Sequence, residues 1–163
     1  MKTLVLGGAG AVCNETTRDL AQFSNFDKIV VADYNLEAAN QLIAEISDPR
    51  LEAVFFDAEN YDGMLKLFTG YDVVINGLPW KYDLAVTKAC VEVGVNGLDV
   101  STEEEQWDFD AAAKEKDIIF IPGVGATPGI TNAMARRAAD QMDEVDDIQI
   151  NFAAFRCPAP DRP

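Results

Sequence analysis

The sequence predicts an α/β fold: a doubly wound parallel sheet with helices on both faces. Three observations predict it. A glycine-rich turn, Gly7-Gly-Ala-Gly-Ala-Val-Cys13, joins an apolar run at Leu4–Leu6 to a helix-like stretch that reaches Phe23. A second apolar run, Ile29–Ala32, ends in a carboxylate, Asp33, 23 residues after Gly10. Short apolar runs then alternate with helix-periodic stretches through most of the chain, the pattern of parallel strands joined by helical crossovers. Together these are the marks of a Rossmann-like dinucleotide fold.

The first strand spans Lys2–Leu6. Gly8 and Gly10 fit the first two glycines of a G-x-G-x-x-G turn: the first permits a tight turn, and the second lets a pyrophosphate approach the backbone. The helix N-terminus behind them offers unpaired N–H groups and a favourable dipole to phosphate. Ala9, Ala11 and Val12 lie in the same turn and are candidate contacts. The third glycine position is Cys13, a departure where glycine serves close helix–strand packing. On the glycines alone an ordinary tight turn remains open.

Asp33 stands where a carboxylate grips the adenosine ribose, and its charge repels a 2′-phosphate. No Arg follows it; Tyr34 and Asn35 do, so the pattern favours NAD over NADP. Asn35 is the better-placed N-cap for the helix that starts at Leu36, which leaves Asp33 free. That helix carries Leu36, Ala39, Leu42, Ile43 and Ile46 at helical spacing and stops at Asp48-Pro49. Leu51–Phe56 is the third strand. It ends at Asp57-Ala58, where Asp57 either accepts from the adenine amino group or caps the next helix. Met64, Leu65, Leu67 and Phe68 form the apolar side of that helix, and Gly70 stops it.

Tyr71–Asn76 is the fourth strand and runs into Gly77-Leu78-Pro79-Trp80. A strand ending in Asn-Gly and then Pro places backbone beside the middle of a dinucleotide, outside the carboxyl end of the sheet; a plain loop is the other reading. Lys81 follows, read either as a donor to a substrate carboxylate or as a surface lysine lying over Trp80. Leu84–Val93 is a helix closed by Gly94. Asn96–Val100 is a fifth strand, followed by an acidic helix start at Glu103–Glu105 that suits the helix dipole, with Trp107 and Phe109 expected in packing. A sixth strand, Asp117–Pro122, opens a second glycine loop, Gly123-Val-Gly-Ala-Thr-Pro-Gly129. Pro128 is expected in the first turn of the next helix with Thr127 as its cap, and that helix should run to about Met142. Val145–Phe155 alternates loosely and reads as a seventh strand.

Composition narrows the function classes. The formal charge of −15 argues against nucleic acid or an anionic membrane as partner. No apolar run approaches the ~20 residues of a membrane span, and the chain opens straight into a strand rather than a signal peptide. Cys13, Cys90 and Cys157 have neither metal nor disulfide spacing, so a reducing cytoplasm is the expected setting. There is no histidine, which excludes His-based acid–base chemistry within this chain. None of Tyr34, Tyr61, Tyr71 or Tyr82 has Lys four residues on, so the Tyr-x-x-x-Lys of short-chain dehydrogenases is absent.

Several blocks carry a more specific resemblance: Gly8-Ala-Gly10, Val31-Ala-Asp33, Asp72-Val-Val-Ile-Asn76 with Pro79, Ala89–Gly94 before Leu98-Asp99, and Gly123-Val-Gly-Ala-Thr-Pro-Gly-Ile-Thr-Asn132. In these the chain resembles the saccharopine dehydrogenase family, including its saccharopine reductase and lysine 6-dehydrogenase branches, from about Lys2 to Phe155. The resemblance implies NAD(P)-dependent hydride transfer at a carbon–nitrogen bond of an amino-acid-type substrate. It implies a cofactor role for Gly8, Gly10, Asp33, Asp57, Asn76 and Pro79. It also implies a Rossmann domain over 1–143, a second α+β domain beginning within 144–163, and dimerisation. On that reading the sequence is a truncated chain that lacks the substrate domain, and a homodimer through the terminal strand is expected, since an unpaired edge strand seeks a partner. Basic groups that would hold a substrate carboxylate would belong to the missing domain, so no catalytic residue is named; no metal is expected. The alternative function is a non-catalytic NAD-binding module or sensor.

Overall fold

The computed structural model describes residues 1–151. Six parallel strands form one sheet in the order β3-β2-β1-β4-β5-β6. They are β1 Lys2–Leu6, β2 Lys28–Asp33, β3 Leu51–Phe55, β4 Val73–Asn76, β5 Asn96–Asp99 and β6 Phe120–Ile121. Between them run α1 Cys13–Phe23, α2 Leu36–Ile46, α3 Tyr61–Phe68, α4 Asp83–Val93 and α5 Asp110–Glu115, and α6 Ile130–Ala139 follows β6. The order reverses between β1 and β4, which places a crevice at their carboxyl ends.

Strand alternation decides which helices cover which face. Leu4 and Leu6 of β1, Val30 of β2 and Val74 of β4 point to one side, where they meet Met64 and Phe68 of α3 and Val86, Ala89 and Cys90 of α4. Val5, Ile29, Val31 and Ile75 point to the other, against Cys13 and Leu20 of α1 and Ala39 and Ile43 of α2. Each large apolar side chain taken out of water in these layers contributes roughly 1.5–3 kcal/mol.

Helix ends follow side-chain chemistry. Asn35 caps α2 by accepting from Ala38 N at 3.0 Å, as expected. Asn60, not Asp57, caps α3, accepting from Gly63 N at 2.9 Å. The carboxyl end of α1 has no basic residue of its own. Arg50, from the turn before β3, reaches back to the carbonyls of Ala21, Ser24 and Phe26 and is itself held by Asp48 at 2.7 Å.

Three expectations need correction. α6 starts at Ile130 with Gly129 as its N-cap, so Thr127 is not the cap and Pro128 is not in the first turn. Gly129 has φ 125°, and a Cβ there would lie 2.0 Å from the Gly125 carbonyl oxygen. This close approach folds the loop on itself before the helix can begin. α6 also ends three residues short of Met142. Finally, residues 145–151 form no strand. No neighbouring strand of the sheet lies against them, so alternation alone cannot make one; the rest of the expected strand, to Phe155, lies outside the described residues.

Candidate dinucleotide-binding cleft

The glycine turn is built by contacts rather than by one property of glycine. Gly7, not Gly8, takes the left-handed conformation of the tight turn, with φ 63°. Its N–H donates to the Ala32 carbonyl at 2.8 Å, and its carbonyl accepts from Gly10 N at 2.8 Å. Gly8 is required by packing: a Cβ there would come 2.8 Å from Val31 Cγ1 and 3.1 Å from the Val5 carbonyl oxygen. The exposed Gly10 leaves backbone open to the crevice, and α1 begins beyond it with no side-chain cap. Apart from that of Asn14, which donates to the Gly10 carbonyl at 2.9 Å, the N–H groups of the first turn are therefore available to an anion. Buried Thr17 shares its one hydroxyl hydrogen between the Cys13 carbonyl at 2.8 Å and the Gly8 carbonyl at 3.1 Å, and so pins the turn to α1. Thr17 was not singled out in the sequence, because a threonine inside a helix carries no motif.

Cys13 is fully buried, and burial pushes its thiol up to about 11. It packs on the backbone of Gly77, where an added Cβ would lie 2.1 Å from Cys13 Sγ. The glycine needed for close packing has moved from the helix to the loop it meets.

Asp33, half-buried at the end of β2, is not free. Its Oδ2 accepts from Ala9 N at 3.1 Å and its Oδ1 from Asn35 N at 2.9 Å, so the carboxylate ties the glycine turn to the start of α2. Each oxygen keeps lone-pair capacity for another donor. Tyr34 is 72% exposed, its ring tilted against Phe55 at 5.5 Å. Asp57 accepts from Glu59 N at 3.0 Å, which fixes the chain after β3.

These segments enclose a cleft of about 650 Å³. Of the residues singled out in the sequence, Gly10, Ala11, Val12, Asp33, Tyr34, Asp57, Ala58, Gly77, Leu78 and Pro79 line it. Gly8, Ala9, Asn35 and Asn76 do not line it; Gly8 and Asn76 are buried behind the wall, and Asn35 is exposed at the start of α2. The Asn76 side chain is 1% exposed; its Oδ1 accepts from Leu78 N at 3.1 Å and its Nδ2 donates to Asp83 at 3.0 Å. It shapes the turn from inside rather than lining the cleft.

Gly7, Phe56, Glu59 and Tyr82 also line the cleft. Glu59 accepts from Tyr82 Oη at 2.5 Å and from Lys81 Nζ at 3.1 Å, and these two donors hold its carboxyl below the usual range. Lys81 lies 4.4 Å over the Tyr82 ring, not over Trp80. Among the described residues neither the Gly123–Gly129 loop nor any Lys or Arg lines this cleft. Another cavity, of about 290 Å³, lies between α4, α5 and β6. Trp107 lines it while 64% exposed, so this ring is not packed in the core as expected.

Residues 3–121 match the family model described as the saccharopine dehydrogenase NADP binding domain. The chain belongs to the saccharopine dehydrogenase family. Carboxyaminopropylagmatine dehydrogenase of Synechocystis sp. is 27% identical over 164 residues, covering 92% of this chain and 41% of that protein. Carboxynorspermidine synthase of Vibrio cholerae is 28% identical over 174 residues, covering 88% and 42%. The chain thus spans about two fifths of the length of these curated relatives. Apo saccharopine dehydrogenase (L-Glu forming) of Saccharomyces cerevisiae superposes with a TM-score of 0.75 at 22% identity, over 86% of this chain and 31% of that one, and so shares the fold. The cleft therefore belongs to an NAD(P)-binding domain of an oxidoreductase family. Among the described residues no helix is long and apolar enough to cross a membrane.

Proposed function

We propose that this chain binds NAD in preference to NADP and forms the nucleotide half of an oxidoreductase acting at a carbon–nitrogen bond of an amino-acid-type substrate. The observation that carries the cofactor reading is Asp33. Its carboxylate stands at the end of β2 on the cleft wall, and among the described residues no Lys or Arg joins it there to neutralise a 2′-phosphate. This reading sets the chain apart from the NADP in its family's description.

In this assignment Asp33 accepts the ribose hydroxyls. Tyr34, Asp57 and Ala58 flank the adenine, and Gly10, Ala11 and Val12 bring the α1 N-terminus to the pyrophosphate. Gly77, Leu78 and Pro79 back the middle of the dinucleotide. The bound nicotinamide supplies the hydride acceptor or donor, and the protein contributes position and exclusion of water. The names of both curated relatives join a carboxy group to an amine, which supports an amino-acid-type substrate. Cys13 and Cys90 are free and buried, which supports a reducing cytoplasm.

Calorimetric titration with NAD and with NADP tests the cofactor reading. Expected is saturable NAD binding at least about tenfold tighter than NADP, a difference of roughly 1.4 kcal/mol. In Asp33→Ala, NAD should weaken and the preference should shrink. NADP binding tighter than NAD in the unaltered chain would sink the assignment of Asp33.

A further inference from the structure

Two carboxylates lie one layer behind the cleft. Asp83, at the start of α4, and Asp99, at the end of β5, are both fully buried. Their partners are neutral. Asp83 accepts from Asn76 Nδ2 at 3.0 Å and from Ser101 Oγ at 2.5 Å. Asp99 accepts from Gln106 Nε2 at 2.6 Å and from Gly123 N at 3.3 Å. Gln106 also donates to Thr87 at 2.8 Å, and its Oε1 accepts from Glu103 N at 2.7 Å. Asn76 and Asp99 are register partners across β4 and β5.

Burial raises the pKa of both carboxyls, that of Asp99 to about 6. Buried carboxylates without a cation are expensive, and apolar side chains would fill the same space more cheaply. What the cluster does instead is hold two loops. Through Asn76, whose Oδ1 accepts from Leu78 N at 3.1 Å, it fixes the Gly77–Pro79 turn. Through Asp99 and Ser101, whose carbonyls accept from Val124 N and Gly123 N at 2.7 Å each, it fixes the start of the second glycine loop. Both loops leave the carboxyl ends of the β4–β6 half, where the second mononucleotide of a dinucleotide lies.

We propose that Asp83 is a positioning residue for the dinucleotide. By accepting from Asn76 and Ser101 together, it locks the turn after β4 and the segment after β5 in the arrangement that receives the nicotinamide half. The proposal rests on the nucleotide reading of the cleft. The job requires an oxygen facing the Asn76 amide; the Ser101 hydroxyl can rotate to meet either a donor or an acceptor. Asp83→Asn therefore keeps both ties, whereas Asp83→Ala leaves the Asn76 amide buried without its acceptor.

Titrations of the whole chain with NAD and with ADP, which reaches only the β1–β3 half and the glycine turn, test this. In Asp83→Ala, NAD affinity should fall about tenfold while ADP affinity changes less than about twofold. Asp83→Asn should restore NAD binding to within about threefold. If Asp83→Ala fails to fold, Ser101→Ala, which removes one tie, should show the same split at about threefold. Equal losses of NAD and ADP, no loss of either, or equal affinity of the unaltered chain for both would overturn the proposal. Failure of the unaltered chain to bind either nucleotide would instead remove the reading of the cleft on which it rests.

Discussion

The two halves of the sheet make their walls by opposite means. In the β1–β3 half the groups facing the cleft are backbone N–H groups and half-exposed carboxylates, and the structure behind them is apolar. In the β4–β6 half the cleft surface is the plain turn Gly77-Leu78-Pro79 with Tyr82 beside it, and most of the polar chemistry is buried beneath in Asn76, Asp83, Asp99 and Gln106. One half presents its chemistry to the ligand, while the other uses its chemistry to hold a shape. One contact between them, beyond the pairing of β1 with β4, is Cys13 on Gly77, where the helix of the first half meets the turn of the second.

The largest expected effect breaks that contact. A methyl group at Gly77 would sit 2.1 Å from Cys13 Sγ and 3.1 Å from its Cβ, inside a closely packed layer. Gly77→Ala should destabilise the chain by about 3 kcal/mol, the upper range for overpacking. Combining it with Cys13→Gly, which returns the glycine to the helix, should recover most of that loss. Urea unfolding of the four members of this double-mutant cycle measures the coupling. Additive losses would mean that Cys13 and Gly77 do not share this close packing.

A smaller effect separates the halves by pH. Burial holds the Asp99 carboxyl at about 6 in the folded chain, against ~3.9 in an unfolded one. The folded state therefore binds the proton more tightly, and this group's contribution to stability declines as pH rises from about 4 to about 6. Asp99→Asn removes the titration. The stability of the unaltered chain relative to this variant should fall by about 2 kcal/mol across that window and level off above about pH 7. Exposed Asp27 and half-buried Asp48, whose carboxyls are lowered by the N-terminus and by Arg50, act in the opposite direction at lower pH and are common to both proteins. Unfolding curves at pH 4, 5, 6 and 7 test it; a difference that rises with pH would contradict the burial effect.

The same division explains what could be read from the sequence. Strands β1 to β4, their helices and the Asn35 cap follow from local pattern: apolar runs of strand length, apolar residues at helical spacing, and a capping side chain three residues before its N–H. Ten cleft residues were legible for the same reason, since strand ends and glycine turns are local signals. The partners that decide the rest are distant in sequence. Cys13 reads as a damaged fingerprint until Gly77 is seen opposite it. Asn76 reads as a contact to the ligand until Asp83 claims its amide. Asp57 looks like a cap because Asn60, one turn on, is an equally good one. Val145–Asn151 alternates as a strand would, but alternation describes a face, and a strand needs a neighbour for its backbone.

The smallest expected effect concerns the side-chain strap across the cleft mouth. Glu59, after β3, takes hydrogen bonds from Lys81 and Tyr82, after β4, and thereby spans the two halves. All three lie at the surface, where solvent and salt screen such pairs. Glu59→Gln should leave the thermal midpoint unchanged. Its consequence is for the ligand. Glu59 lines the cleft beside Asp33 and Asp57, so a pyrophosphate enters against three carboxylates. Removing one charge and releasing Lys81 should tighten NAD binding roughly twofold at low salt, with the gain lost at about 0.5 M salt. Titration at two ionic strengths decides it. Weaker binding would instead show Glu59 accepting a hydrogen bond from the nucleotide, and the β4–β6 half would then meet the ligand through Lys81 and Tyr82 rather than through its plain turn alone.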